Sequence, residues 1–205
     1  MLLYILASLI ILCMLIAYEN KKHEKQEKDK IAAFWERERM ANHVRRKPLD
    51  DLDYISIPFD SLPFDVLKED EKVAECHQQL RTLSELKIVN FTGISNTDLK
   101  LQYGTANITL LSEYDQNFTV LARTLQTWAK LLYEHGFETE TRQILEYAIS
   151  IKTDVSKSYY LLAHIYERQG EVSKIKNLIQ VAENLNSVLS TTIVRTLQEP
   201  GPYID

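Results

Sequence analysis

The side chains able to do chemistry are dispersed along this chain. Five histidines stand at His23, His43, His77, His135 and His164, and no two have the spacing that lets a pair of imidazoles share a metal. Cys13 lies inside a long apolar run and Cys76 in the polar part, so the two cysteines predict neither a disulfide framework nor a zinc cluster. Cys76 and His77 adjoin on an expected helix and therefore point apart. The acidic runs Asp50-Asp51 and Glu69-Asp70-Glu71 read as solvated surface. No glycine-rich phosphate loop and no nucleophile elbow occurs. The residues predict no catalytic group, no metal site and no cofactor, and the chain is not expected to be an enzyme.

Charge directs attention elsewhere. The 205 residues carry a net charge of −5, unevenly spread. Residues 19–47 hold ten Lys/Arg and six Asp/Glu, a local +4, which leaves −9 for the remainder. An acidic main domain disfavours nucleic acid as a partner. The basic stretch sits beside the apolar run, where anionic lipid headgroups would be.

That run, residues 2–18, reads LLYILASLIILCMLIAY and holds no charge, Pro or Gly. As a helix it covers roughly 26 Å, slightly under a hydrocarbon core, and snorkelling by Lys21 and Lys22 makes up the shortfall. It lacks the basic n-region and the small-x-small junction of a cleaved signal peptide. The expectation is an uncleaved single-pass anchor over 1–20, in contact with the bilayer through residues 2–18. Five lysines in Lys21–Lys30 place the C-terminal domain in the cytoplasm by the positive-inside rule. The sequons at Asn90, Asn107 and Asn117 then carry no meaning.

Residues 21–47 are rich in helix formers and predict a charged juxtamembrane helix. Its apolar stripe, Ile31, Phe34 and Trp35, is expected to pack on protein rather than lipid. Pro48, Pro58 and Pro63 make 48–65 an extended, ordered connector. Residues 66–205 form the helical domain, with a helix at 65–87 and helical turns started near Ser95 or Asn96 and near Thr105. The predicted fold class is all-α.

One period organises the C-terminal half. Gly136 and Gly170 are 34 residues apart, as are Ala148 and Ala182. The junctions Tyr133-Glu134-His135-Gly136 and Tyr166-Glu167-Arg168-Gln169-Gly170 repeat, and Ala129, Leu132 and Leu145 in one copy answer Ala163, Tyr166 and Ile179 in the other. With Tyr159, Leu162 and Val172 these residues resemble the tetratricopeptide repeat family, in two copies at about 121–153 and 155–187. Thr141 and Ile175 depart from the small residue that the family prefers in its second helix, which predicts looser or shifted packing there. Flanking helices at about 106–117 and 187–198 are expected to cap the array. Over nearly the whole chain, FWERERMANHVRRKPLDDLDYISIPFDSLPF, TGISNTDLKLQYG and LLSEYDQNF also resemble a group of short bacterial single-span proteins; that likeness supports the architecture and brings no chemistry.

The repeat resemblance implies a partner surface made by the first helix of each repeat. On this chain it would comprise Arg123, Gln126, Lys130 and Tyr133, then Lys157, Tyr160, His164 and Glu167. Arg123, Lys130 and Lys157 would form a basic strip for an acidic peptide or a carboxylate. The sequence thus predicts a membrane-anchored adaptor for another protein, with self-association into a scaffold as the alternative.

Overall fold

A computed structural model describes residues 2–199; the side chains at 2, 3 and 6–11 are outside that description. All regular structure among the described residues is helical, apart from one antiparallel bridge between Tyr54 and Val89. The chain divides into two compact units, Met1–Lys47 with Asn96–Asn107, and Pro48–Ser95 with Ile108–Asp205.

In the first unit, α1 runs unbroken over Leu2–Asn42, as a stretch free of Gly and Pro allows. The apolar run and the charged stretch are one helix. Among the described residues no helix is long and apolar enough to cross a membrane. The expected span at 2–18 falls partly on the side chains outside the description. The helix stops at Asn42, five residues short of the expected end, because backbone groups beyond it find tertiary partners. The Lys47 N–H donates to the Tyr103 carbonyl at 3.0 Å. α3 (Asn96–Tyr103) packs against the C-terminal part of α1. Glu38 accepts from Thr97 at 2.6 Å and from Lys100, and Arg37 pairs with Asp98. Lys100, then Thr97, hold the Glu38 carboxyl below its ordinary range. Asn107 is fully buried and ties the unit's end together. It accepts from Arg46 Nε at 3.0 Å and donates to the carbonyls of Lys47 and Tyr103, both at 2.8 Å. The apolar stripe Ile31, Phe34 and Trp35, expected to pack on the domain or on a second copy, is 56%, 54% and 63% exposed in the single chain.

In the second unit, the connector holds turns and a 3-10 turn at Phe59–Ser61. α2 is Glu71–Ser84, shorter than the expected 65–87. Asp70 caps it by accepting from the Val73 N–H at 3.0 Å, and Leu67 stands before it in a left-handed turn, φ +49°. Val73, Cys76, His77, Leu80 and Leu83 recur at helical spacing and are buried.

The expected cap at 106–117 is not a separate helix. α4 runs continuously over Ile108–Glu134, because no Gly or Pro interrupts it and its apolar face is unbroken from Leu111 to Leu132. α5 (Glu138–Ser150), α6 (Ser156–Arg168), α7 (Val172–Glu183) and α8 (Ser190–Gln198) follow, each packed on the helix before it. Two hairpins, α4–α5 and α6–α7, turn through the same pair of hydrogen bonds. Gly136 N–H donates to Tyr133 and Phe137 N–H to Leu132; Gly170 N–H donates to Glu167 and Glu171 N–H to Tyr166. Both glycines have positive φ, +85° and +72°, the conformation that lets a helix end while its last carbonyls stay bonded. Thr141 and Ile175 are both buried, and the Thr141 hydroxyl lies 2.8 Å from the Phe137 carbonyl and 3.3 Å from that of Ala129.

Candidate partner-binding surface

α4 and α6 are the first helices of the two hairpins, and the eight predicted surface residues lie on them. Arg123, Gln126, Lys130 and Tyr133 alternate with the buried Ala122, Leu125, Ala129 and Leu132; Arg123 and Lys130 face solvent, while Gln126 and Tyr133, and Tyr160 on α6, lie at the edge of the core. Lys157, Tyr160, His164 and Glu167 stand in the same way against Tyr159, Leu162, Ala163 and Tyr166. Arg123, Lys130, Lys157 and Glu167 are exposed; Gln126, Tyr133, Tyr160 and His164 are half-buried.

Several of these side chains meet across the helices. The Tyr133 and His164 rings stand edge to face, with centroids 6.1 Å apart. The buried Ser158 hydroxyl donates to Gln126 Oε1 at 2.7 Å, which fixes the amide between α4 and α6. The Tyr160 hydroxyl reaches Thr196 Oγ1 on α8 at 3.4 Å, so α8 extends the row formed by α4 and α6. Ser158 and Thr196 were not among the residues picked out from sequence. No repeat position marks Ser158, and the second copy ends before Thr196.

The charges are less concentrated than a basic strip. Lys130 lies 3.5 Å from Glu134 in a pair whose side chains are 65% and 52% exposed, an arrangement worth little. Glu167 sets an acid among the cations. Among the described residues, Arg123 and Lys157 have no carboxylate within ion-pair distance. These two occupy matching positions 34 residues apart and are the free cations of the surface.

On α5–α7 a second polar cluster is compensated within itself. Arg142 pairs with Glu146 at 2.8 Å and Glu171 at 3.1 Å, and Lys174 with Glu171 at 2.6 Å. Arg142 and Lys174 both lie against the Tyr166 ring, at 5.2 and 5.4 Å, while the Tyr166 hydroxyl donates to Glu146 at 2.9 Å. Burial, with the Glu146 bond, pushes the Tyr166 phenol up; the Glu146 bond leads in raising Arg142, and Lys174 leads in lowering Glu171. A cleft of about 250 Å³ opens beside Tyr166, Leu162 and Leu178. Another, of about 440 Å³, lies between Tyr54, Asn90, Lys152 and Asn186. Among the described residues no three His, Cys, Asp or Glu side chains group as metal ligands.

The chain matches no protein-family model, and comparison with curated proteins and with solved structures finds no match either.

Proposed function

We propose that this chain is a membrane-anchored adaptor, in which a tetratricopeptide-like helical domain binds another protein. The observation that carries the reading is the repetition of one helical hairpin at a 34-residue period, closed at Gly136 and at Gly170 by equivalent hydrogen bonds. Such a hairpin covers its apolar face only by stacking on a neighbour, and the face left over is the usual binding surface of repeat arrays. Arg123 and Lys157 give that surface two uncompensated cations, suited to a carboxylate-bearing segment. The anchor is the apolar run 2–18, joined through a continuous helix to the lysines at 21–30. Those lysines orient the domain toward the cytoplasm.

Crosslinking and affinity capture from membranes test the adaptor reading, comparing the natural chain with an Arg123→Glu, Lys130→Glu, Lys157→Glu variant. The expected result is loss of one or a few captured proteins; an unchanged set removes the surface. Resistance of the chain to alkaline carbonate extraction, lost when 2–18 are deleted, tests the anchor. Protease access in inverted against right-side-out vesicles tests its orientation.

A second reading, self-association into a scaffold, is favoured by the exposure of Ile31, Phe34 and Trp35 on α1. Sedimentation of the detergent-solubilised chain as a strict monomer removes it.

A further inference from the structure

We propose that residues 57–66 form an acid-releasable strap, held on α2 and α4 by Phe64 packing against His77 and Trp128. This inference is independent of the partner reading.

The seat is aromatic. Phe59 stacks on Phe64 with centroids 5.0 Å apart. Phe64 lies 4.7 Å from the His77 ring and 4.9 Å from Trp128, and His77 meets Trp128 edge to face at 4.8 Å. His77 is 7% exposed and Trp128 fully buried. Among the described residues, His77 Nε2 and Trp128 Nε1 are both sealed from solvent with no hydrogen-bond partner. A buried unpaired polar atom is costly, so the seat is imperfectly satisfied even when closed.

The strap's own bonding is local. Phe59 N–H donates to Ile57, Ser61 to Pro58, Phe64 to Leu62 and Val66 to Pro63. Among the described residues, only side chains hold 57–66 to the helices: Ile57 and Leu62 are buried, and Phe59, Phe64 and Val66 pack on the core. The tethers lie just before it, where Ile55 N–H reaches the Ile88 carbonyl and the Tyr147 hydroxyl reaches the Ser56 carbonyl. The strap can therefore lift without breaking a helix or a bridge.

His77 supplies the trigger. A neutral imidazole tolerates an apolar seat; an imidazolium would turn an N–H into it with no acceptor. Aromatic faces return about 1–2 kcal/mol to a cation, less than the hydration it loses on burial. Burial first, and Arg81 one turn along α2 second, hold His77 below its ordinary 6.5. Of the charged groups, Arg81 on α2 acts on it directly. Glu75 and Asp70 act on the neighbouring Cys76, Asp60 and Asp65 flank Phe64 along the connector, and within Leu125–Leu132 of α4 the charged residue is the exposed Lys130. A depressed histidine stabilises the closed form fully above pH 6.5, and that contribution is lost as pH falls below it.

The test uses the full-length chain in detergent with Trp35→Phe, leaving Trp128 as the reporter. Amide hydrogen-exchange protection and Trp128 emission are followed from about pH 7.5 to about pH 4.5. The expected result is an about tenfold loss of protection in peptides covering 57–66 with a midpoint under 6.5, a red shift of Trp128, and unchanged protection in α6 and α7. His77→Gln should keep the strap closed across the range, and His77→Phe serves where the glutamine variant does not fold. Protection that is independent of pH, that falls equally in both variants, or that is lost together with α6 and α7 overturns the proposal.

Discussion

Gly93 rests against the backbone of Asn186 so closely that a Cβ built on it would stand 1.7 Å from the Asn186 carbonyl oxygen. Gly93 also has φ +76°. The loop before α3 is thereby sealed onto the turn after α7, and the Asn90 side chain adds bonds to the carbonyls of Ile151 and Lys152, both at 3.1 Å. Gly93→Ala must both strain the backbone and displace a backbone oxygen, for a loss of about 2–4 kcal/mol. Gly136→Ala is the control, since nothing lies within 4 Å of its Cβ position at φ +85°. It should lose about 1 kcal/mol. Chemical denaturation of the two variants side by side checks the difference.

Asn107→Ala should loosen the first unit alone. The change removes the acceptor of Arg46 and the donor to Lys47 and Tyr103 inside a fully buried site. Unmet buried groups of this kind cost about 2–3 kcal/mol. Hydrogen exchange should show the Lys47 amide, bonded to Tyr103, losing protection while amides of α6 hold.

The contrast between the units explains what the sequence disclosed. The hairpins were legible because Gly136 and Gly170 each report a local demand, a left-handed residue at a helix end, and local demands leave fixed spacings. The continuity of α4 was missed because repeat register suggested a boundary near 117–121. No breaker stands there, and Phe118, Leu121 and Ala122 bury one face straight through. The pairing of α3 with α1 was not legible at all. It rests on Glu38 with Thr97 and Lys100, about sixty positions apart, where each residue alone reads as solvated surface. For the candidate surface, the repeat resemblance pointed to Arg123 and Lys157 but could not show that Gln126 is committed to Ser158.

Alkaline pH should unfold the second unit through its buried phenols. Burial pushes the Tyr147 phenol up to about 12, while its hydroxyl donates to Ser56 at 3.0 Å. A raised acid pKa means that stability is complete below the ordinary value of 10 and is lost as pH climbs from there through about 12. Tyrosine absorbance should therefore show a late-ionising fraction, and Tyr147→Phe should flatten the loss of stability above pH 10. At neutral pH the same variant gives up about 1 kcal/mol with the hydrogen bond.

Charge reversal at Arg123 and Lys157 separates binding from folding. Both side chains are exposed and without ion pairs among the described residues, so Arg123→Glu with Lys157→Glu should shift stability by only about 0.5 kcal/mol. If the two cations meet a carboxylate-bearing partner, reversal should weaken capture by more than tenfold, roughly 1.4 kcal/mol. Binding by the natural chain should also fall as salt shortens the screening length from about 8 Å at physiological ionic strength toward about 3 Å at 1 M. The salt series run on both proteins decides the matter. A parallel loss in natural and reversed chains means that the cations take no part, whereas a steep dependence confined to the natural chain assigns them the contact. Gln126→Ala distinguishes the fixed part of the surface from its charges. It strips the bond from a fully buried Ser158, so its effect should fall on stability, by about 1–2 kcal/mol, and leave the salt dependence of capture unchanged.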